Sequence, residues 1–217
     1  MLINGKIMKN SELMIFCTSA EVNFDKYLKN INDWYAMLDA VHNSADFYVG
    51  VDGKIPENIE LNKNINFIEF LPKYGLGDIP HAKHFAGWKR TYIEMLKLAI
   101  EKDYKYVVHI ENDVLVLNWE KIKPLFYTSG LFTSKDSRYG FIESAFQILN
   151  DMSAIKPIID YYSNEENFFK SEGFEQVLQS TCNFNYCLNS IRVEGHFPVD
   201  KNSTQCKQYD FLAQICG

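Results

Sequence analysis

Apolar positions along the chain follow two spacings. Glu12 to Thr18 (ELMIFCT), Asp46 to Val51 (DFYVGV) and Ile65 to Leu71 (INFIEFL) are short runs rich in β-branched and aromatic residues, and each predicts a strand. Asn66 and Glu69 interrupt the third, which predicts a half-exposed one. Elsewhere the apolar positions fall three and four apart. Phe24, Tyr27, Leu28, Ile31, Trp34, Tyr35, Leu38 and Val41 form one such series, and Trp88, Tyr92, Met95, Leu96, Ala99 and Ile100 another. These predict helices from Phe24 to Val41 and from Ala86 to Glu101. On the polar face of the second, Arg90, Glu94, Lys97 and Glu101 are spaced for mutual ion pairing, so spacing alone offers Glu94 to Arg90. Next comes Tyr104 to Leu117 (YKYVVHIENDVLVL), a near-continuous apolar run broken only by Glu111-Asn112-Asp113. It predicts a central strand buried on both faces, as parallel strands are. Strand and helix alternate throughout this part, the pattern of a parallel sheet flanked by helices.

The remainder is less regular. Glu120 to Ser129 predicts a short helix broken by Pro124, Gly130 to Thr133 a short strand, and Ser134 to Arg138 a polar turn. Tyr139 to Leu149 (YGFIESAFQIL) predicts a further strand, with Glu143 interrupting it. Pro157 to Tyr162 predicts a helix with proline in its first turn. Val177, Leu178, Cys182 and Leu188 fit helical spacing, which puts Glu172 and Glu175 near that helix's start, where negative charge is at home. Ile191 to Phe197 predicts a short strand. The tail to Gly217 has no pattern and reads as a packed loop or a link to a further domain.

Composition narrows the function. The 217 residues, 47% hydrophobic, suit one domain with a large core. The 15% aromatic content suits stacking on bases or sugar rings, and equally an aromatic core. A net charge of −6 without a basic run argues against a nucleic-acid partner. No apolar segment approaches the roughly 18–20 residues needed to span a bilayer, and the N-terminus lacks the apolar core of a signal peptide. Five cysteines (Cys17, Cys182, Cys187, Cys206, Cys216) without metal-finger spacing read as reduced thiols in a cytoplasmic protein.

The chemistry concentrates at Glu111-Asn112-Asp113. Two carboxylates at the end of a buried strand must be hydrogen-bonded, paired or bound to metal. Open α/β sheets bind ligands at the carboxyl ends of their strands. A divalent cation holding a phosphate there explains both facts. The bland alternative is a solvated turn with two capping acids.

Apolar strand, Glu-x-Asp, apolar residues: this order resembles the DxD motif of GT-A fold, nucleotide-sugar-dependent glycosyltransferases, with Glu111 at the first position instead of the usual Asp. The resemblance implies a GT-A-like, Rossmann-like three-layer α/β/α sandwich with a mostly parallel central sheet. The same resemblance implies a single domain over residues 1–217, with about 12–117 binding the nucleotide sugar and about 118–200 the acceptor. It further implies that Asp113 ligates Mn²⁺ or Mg²⁺, with Glu111 on the metal or the donor ribose, Asn112 beside them, and His196 as a third ligand for which Asp200 is a substitute. Thr18 and Ser19, at the end of the first strand, and Asp52, at the end of the second, become donor contacts. Ser19 as a helix cap and Asp52 as part of an Asp52-Gly53 turn explain the same residues without a ligand. Lys83, with His81 and His84, in the loop from Lys73 to Phe85, and Arg90 become candidates for the diphosphate. Glu175, then Glu172, are candidates for the base that deprotonates the acceptor, and Glu143 for gripping a sugar hydroxyl.

The implied reaction is sugar transfer from a nucleotide diphosphate sugar, by default a UDP-sugar, to a hydroxyl of a glycan acceptor. The expected setting is the cytoplasm of a bacterium or virus-infected cell, with acceptors that are soluble or at a membrane surface. Two rivals stand beside it. A metal-dependent nucleotidyltransferase is expected to carry a glycine-rich basic loop after the first strand, and Thr18-Ser19-Ala20-Glu21 offers neither glycine nor base. A non-catalytic nucleotide- or glycan-binding module is kept open by Glu111 in place of Asp.

Overall fold

The computed structural model describes residues 11–20, 24–74, 86–135, 140–170, 173–193 and 208–214. The elements run β1 (Leu13–Ala20), α1 (Phe24–His42), β2 (Asp46–Asp52), β3 (Ile65–Phe70), α2 (Ala86–Glu101), β4 (Tyr106–Ile110), β5 (Val114–Val116), α3 (Trp119–Leu125), β6 (Leu131–Phe132), β7 (Phe146–Leu149), α4 (Met152–Ser163), α5 (Glu165–Phe168), α6 (Phe174–Thr181), β8 (Ser190–Val193) and β9 (Phe211–Gln214). Six strands form the main sheet in the order β3-β2-β1-β4-β7-β6. β3, β2, β1 and β4 are parallel, while β7 and β6 join antiparallel. β5, β9 and β8 form a second sheet of three strands.

Strand alternation divides the core between the two faces of the main sheet. Met14 and Phe16 of β1 point into a cluster with Tyr92, Met95, Leu96 and Ala99 of α2, Ile155 and Ile158 of α4, and Val177 and Leu178 of α6. Leu13, Ile15 and Cys17 point the other way, to Ile31, Trp34 and Leu38 of α1, Ile122 of α3, and Val114 and Phe211 of the small sheet. This is a three-layer α/β/α sandwich. Each side chain of this kind removed from water contributes about 1.5–3 kcal/mol. Two glycines set the distance between α2 and the sheet. A Cβ on Gly50 would lie 2.3 Å from the Thr91 methyl, and one on Gly87 would lie 2.0 Å from an Asp52 carboxylate oxygen.

Helix and strand bounds up to β4 follow the periodicity closely, and later ones depart from it. The run from Tyr104 to Leu117 is not one strand: β4 lies in the main sheet and β5 in the small one, with a turn between them. Among the described residues of the strand predicted from Tyr139, Phe146–Leu149 forms a strand antiparallel to β4, and Ile142 makes an isolated bridge to Lys135. α4 starts five residues before Pro157, because the Asp151 side chain caps it at Ala154 N (3.0 Å). α6 stops at Thr181 short of Leu188, and the patternless tail supplies β9, the central strand of the small sheet. β6 and β7 complete the same sheet as β1 to β4, so the expected donor and acceptor halves share one scaffold. Among the described residues no helix is long and apolar enough to cross a membrane, and Cys17, Cys182 and Cys187 are free thiols.

Candidate active site

In the order β3-β2-β1-β4 the chain reverses its direction of winding between β1 and β4, and the crevice at such a switch point is where open α/β sheets bind ligands. Side chains bridge it here. Thr18, near the end of β1, donates from Oγ1 to Glu111 Oε1 at 2.7 Å, just past the end of β4. The same oxygen accepts from Trp88 Nε1 of α2 at 2.6 Å and lies 2.8 Å from Nε2 of His109, which is fully buried on β4. Three donors on one carboxylate oxygen hold Glu111 in place and leave Oε2 outside these bonds. Against a carboxylate oxygen Nε2 of His109 is the donor, and its Nδ1 is buried with no hydrogen-bond partner among the described residues.

Glu111 also opens a tight turn. Its backbone N–H bonds to Ala145 O of the neighbouring segment (2.9 Å), and its carbonyl accepts from Val114 N (3.1 Å), so Asn112 and Asp113 form the tip. Trp34 Nε1 of α1 takes the carbonyl of Ile110, the last residue of β4, at 2.9 Å. The turn thus steers the chain from the main sheet into β5 with its backbone groups satisfied. Burial pushes the Cys17 thiol well up, and the negative charges of Glu111 and Asp113 push it further the same way, so both acids lie close to the end of β1. Ser19 Oγ and Asn112 Nδ2 are buried there without a hydrogen-bond partner among the described residues. Orphaned polar atoms of this kind are uncommon in a folded chain and call for a ligand or water.

Glu175, in the first turn of α6, belongs to the same cluster. Its Oε1 accepts from Ser144 Oγ at 2.9 Å, and Ser144 adjoins Ala145, the residue bonded to Glu111 N. Phe174 beside it packs edge-on against the Trp88 indole, centroids 4.9 Å apart. A closed circuit results, from Glu111 through Trp88, Phe174, Glu175, Ser144 and Ala145 back to Glu111.

Asp52 and Arg90 bind each other. Arg90 donates to an Asp52 oxygen and to Phe70 O (2.7 Å) and stacks on the Tyr74 ring at 4.0 Å, while Asp52 accepts from Tyr74 N. Glu94 pairs with Lys97 (2.7 Å), not with Arg90 as helical spacing allowed. Glu143 is neither solvent-facing nor open to a sugar: it is fully buried in a two-pronged ion pair with Arg192 of β8. Lys83, His81, His84, Glu172, His196 and Asp200 lie outside the described residues.

Trp88 and His109 were missed as site residues. The signals were present: His109 and Glu111 are two apart on a strand and share a face, and a buried indole N–H needs an acceptor.

The donor set suits a hard divalent cation. Mg²⁺ and similar ions are held by one or two carboxylates, with substrate phosphates and water completing the shell, and Asp113 with Glu111 supplies that pair. Among the described residues no group of three or more acids, histidines or cysteines gathers to form an all-protein cage.

No protein-family model matches the chain. No curated protein matches it in sequence. Solved structures do match in fold. An active-site mutant of LgtC superposes with a TM-score of 0.52 at 16% identity, covering 94% of this chain and 87% of that one. A glycosyltransferase involved in the glycosylation of the major capsid of PBCV-1 superposes with a TM-score of 0.51 at 10% identity, covering 93% and 92%. The chain therefore has a GT-A-type glycosyltransferase fold.

Proposed function

We propose that this chain is a metal-dependent glycosyltransferase that moves a sugar from a nucleotide diphosphate sugar, by preference a UDP-sugar, to a hydroxyl of a glycan acceptor. One observation carries the reading. Thr18 and Glu111 are bonded across the switch point, Asp113 lies at the tip of the adjoining turn, and Ser19 Oγ and Asn112 Nδ2 are buried beside them without partners. The fold likeness supports the same class.

In this reading Ser19 and Asn112 hydrogen-bond the nucleotide portion, which supplies the partners they lack. Asp113, with Glu111 Oε2, would hold the cation, which when bound would supply positive charge against the diphosphate leaving group. Thr18, Trp88 and His109 hold Glu111 still, so little reorganisation is needed when the donor arrives. Glu175, fixed by Ser144, accepts the proton of the acceptor hydroxyl, which fits inversion at the anomeric carbon. Asp52 and Arg90 fasten the start of α2 to the end of β3 and act through position, not contact.

The test is a panel of nucleotide sugars incubated with protein and Mn²⁺ and scored for released nucleotide diphosphate, with EDTA and Asp113→Asn alongside. Release from one donor, abolished by both controls, is the expected result. No release and no Mn²⁺-dependent nucleotide binding would sink the reading. Binding without release would leave a nucleotide-binding module.

A further inference from the structure

A second built feature lies away from this site. A cleft of about 480 Å³ opens at the start of β8 and is lined by Lys135, Tyr186, Asn189, Ser190, Gln208 and Tyr209. Its volume is within the range of about 300–1,000 Å³ usual for small-molecule sites. Three chain segments meet there, and buried polar bonds lock them together. Ser134 Oγ and Ser190 Oγ are 2.5 Å apart, tying the segment after β6 to β8. Asp210, 4% exposed, accepts from Asn189 N (2.8 Å), Lys121 Nζ (2.6 Å) and Asn118 Nδ2 (3.1 Å), and its own N–H returns to Asn189 O (2.7 Å). Tyr209 and Gln208 directly precede that anchor, so the walls of the cleft are held in place before any ligand arrives.

The lining has a specific chemistry. Tyr186 is 36% exposed and offers its ring, with Lys135 Nζ 5.1 Å from the ring centroid. The side-chain amides of Asn189 and Gln208 are exposed and make no hydrogen bond among the described residues, so both retain donors and an acceptor. A single lysine is too little charge for a polyphosphate, and the amides suit a purely apolar guest poorly. A sugar ring meets both halves: its C–H face rests on the electron-rich face of an aromatic ring, and its hydroxyls pair with amides.

We propose that this cleft is a saccharide subsite, holding a sugar unit of the acceptor glycan away from the point of transfer; its service to an acceptor rests on the transferase reading above. The small sheet supplies the connection. Asp113 leads into β5, Val116 pairs with Phe211, and Phe211 pairs with Ser190, so the cleft is on the order of 14 Å from the turn along and across the sheet. An acceptor of several sugars would span that distance.

The test is saturation-transfer NMR with lactose, maltose and cellobiose on the wild-type protein, on Tyr186→Ala and on Asn189→Ala, with circular dichroism to check folding. At least one disaccharide is expected to bind at millimolar concentration, and each substitution to weaken it about tenfold. Neither residue touches the switch point, so acceptor-free release of nucleotide diphosphate is expected to stay within about twofold of wild type. Absence of binding by all three sugars, or binding unchanged in both variants, overturns the proposal. If Tyr186→Ala does not fold, Asn189→Ala decides. Sugar binding lost as expected in a protein that hydrolyses no donor would uphold the subsite and overturn the transferase reading.

Discussion

Two carboxylates sit at opposite ends of the parallel part of the main sheet, on different strands. Asp46, at the amino end of β2, is buried and accepts from Tyr104 Oη (2.7 Å) and Ser11 N (3.1 Å), and Tyr48 Oη lies 2.9 Å from Tyr104 Oη. Glu111, past the carboxyl end of β4, is half-buried and accepts from three side chains on one oxygen. Around Asp46 the hydroxyls and the carboxylate complete one another. Around Glu111 the bonds stop short, leaving Ser19 Oγ, Asn112 Nδ2 and His109 Nδ1 with no hydrogen-bond partner among the described residues. Equal chemistry closes on itself around Asp46 and leaves groups ready for a ligand around Glu111. The difference follows from the winding of the sheet, which opens a crevice only at the carboxyl ends of β1 and β4.

Substitutions at the two ends should therefore separate activity from stability. Asp113→Asn is expected to lower donor turnover by about 10²–10³-fold, as loss of a charge-stabilising group does, with a thermal midpoint close to wild type. Nucleotide release and a melting curve on the same preparation measure both, and a large drop in midpoint would break the contrast. Asp46→Ala is expected to do the reverse, costing about 3 kcal/mol by stranding the Tyr104 hydroxyl and Ser11 N–H. Denaturant titration reads that loss, and turnover per folded molecule should be retained.

The amino end has a pH signature of its own. His42, at the end of α1, stacks on Phe126 (centroids 4.5 Å apart), and its carbonyl accepts from Ala45 N just before β2. Burial, with a lesser contribution from the Lys123 charge, lowers its pKa from 6.5 to about 4. Between those values the unfolded chain binds the proton and the folded one does not. Stability from this group is thus complete above pH 6.5 and declines as pH falls toward 4, by about 3 kcal/mol in all. Unfolding free energies measured from pH 4 to 7 should lose that part of their slope in His42→Phe. An unchanged slope would remove His42 from the comparison.

The smallest expected effect is at the ligand end. Trp88→Phe keeps an aromatic ring against Phe174 and removes one of three donors to Glu111. Turnover should fall about tenfold with stability changed by about 1 kcal/mol or less. Thr18→Val should behave alike, and the double variant should lose less than the sum, because both act through one carboxylate. Full additivity in turnover would show that the two do not work through Glu111.

Much of this was legible in the sequence, and the misses have a common cause. Strict apolar spacing placed α1, α2 and β1 to β3 within one or two residues, since those periods are local to each segment, but it ran β4 and β5 together as one strand. The same reading singled out Glu111 and Asp113, gave Trp88 to an apolar helix face and assigned His109 no role. It placed Arg90 beside Glu94 or a donor phosphate, whereas Arg90 closes on Asp52, and it gave Glu143 to solvent or a sugar, whereas Arg192 holds it. β9 escaped because four residues without flanking signals carry no period.

The sequence by itself determined the alternation of strand and helix and the acidic turn after a buried strand, since both are written in residues a few positions apart. Tertiary structure alone decided which charges close on each other and which polar atoms remain open. Thr18 and Glu111 are 93 residues apart, Asp52 and Arg90 are 38, and Glu143 and Arg192 are 49. No local period encodes such pairings; they arise when the order of strands in the sheet brings distant segments side by side.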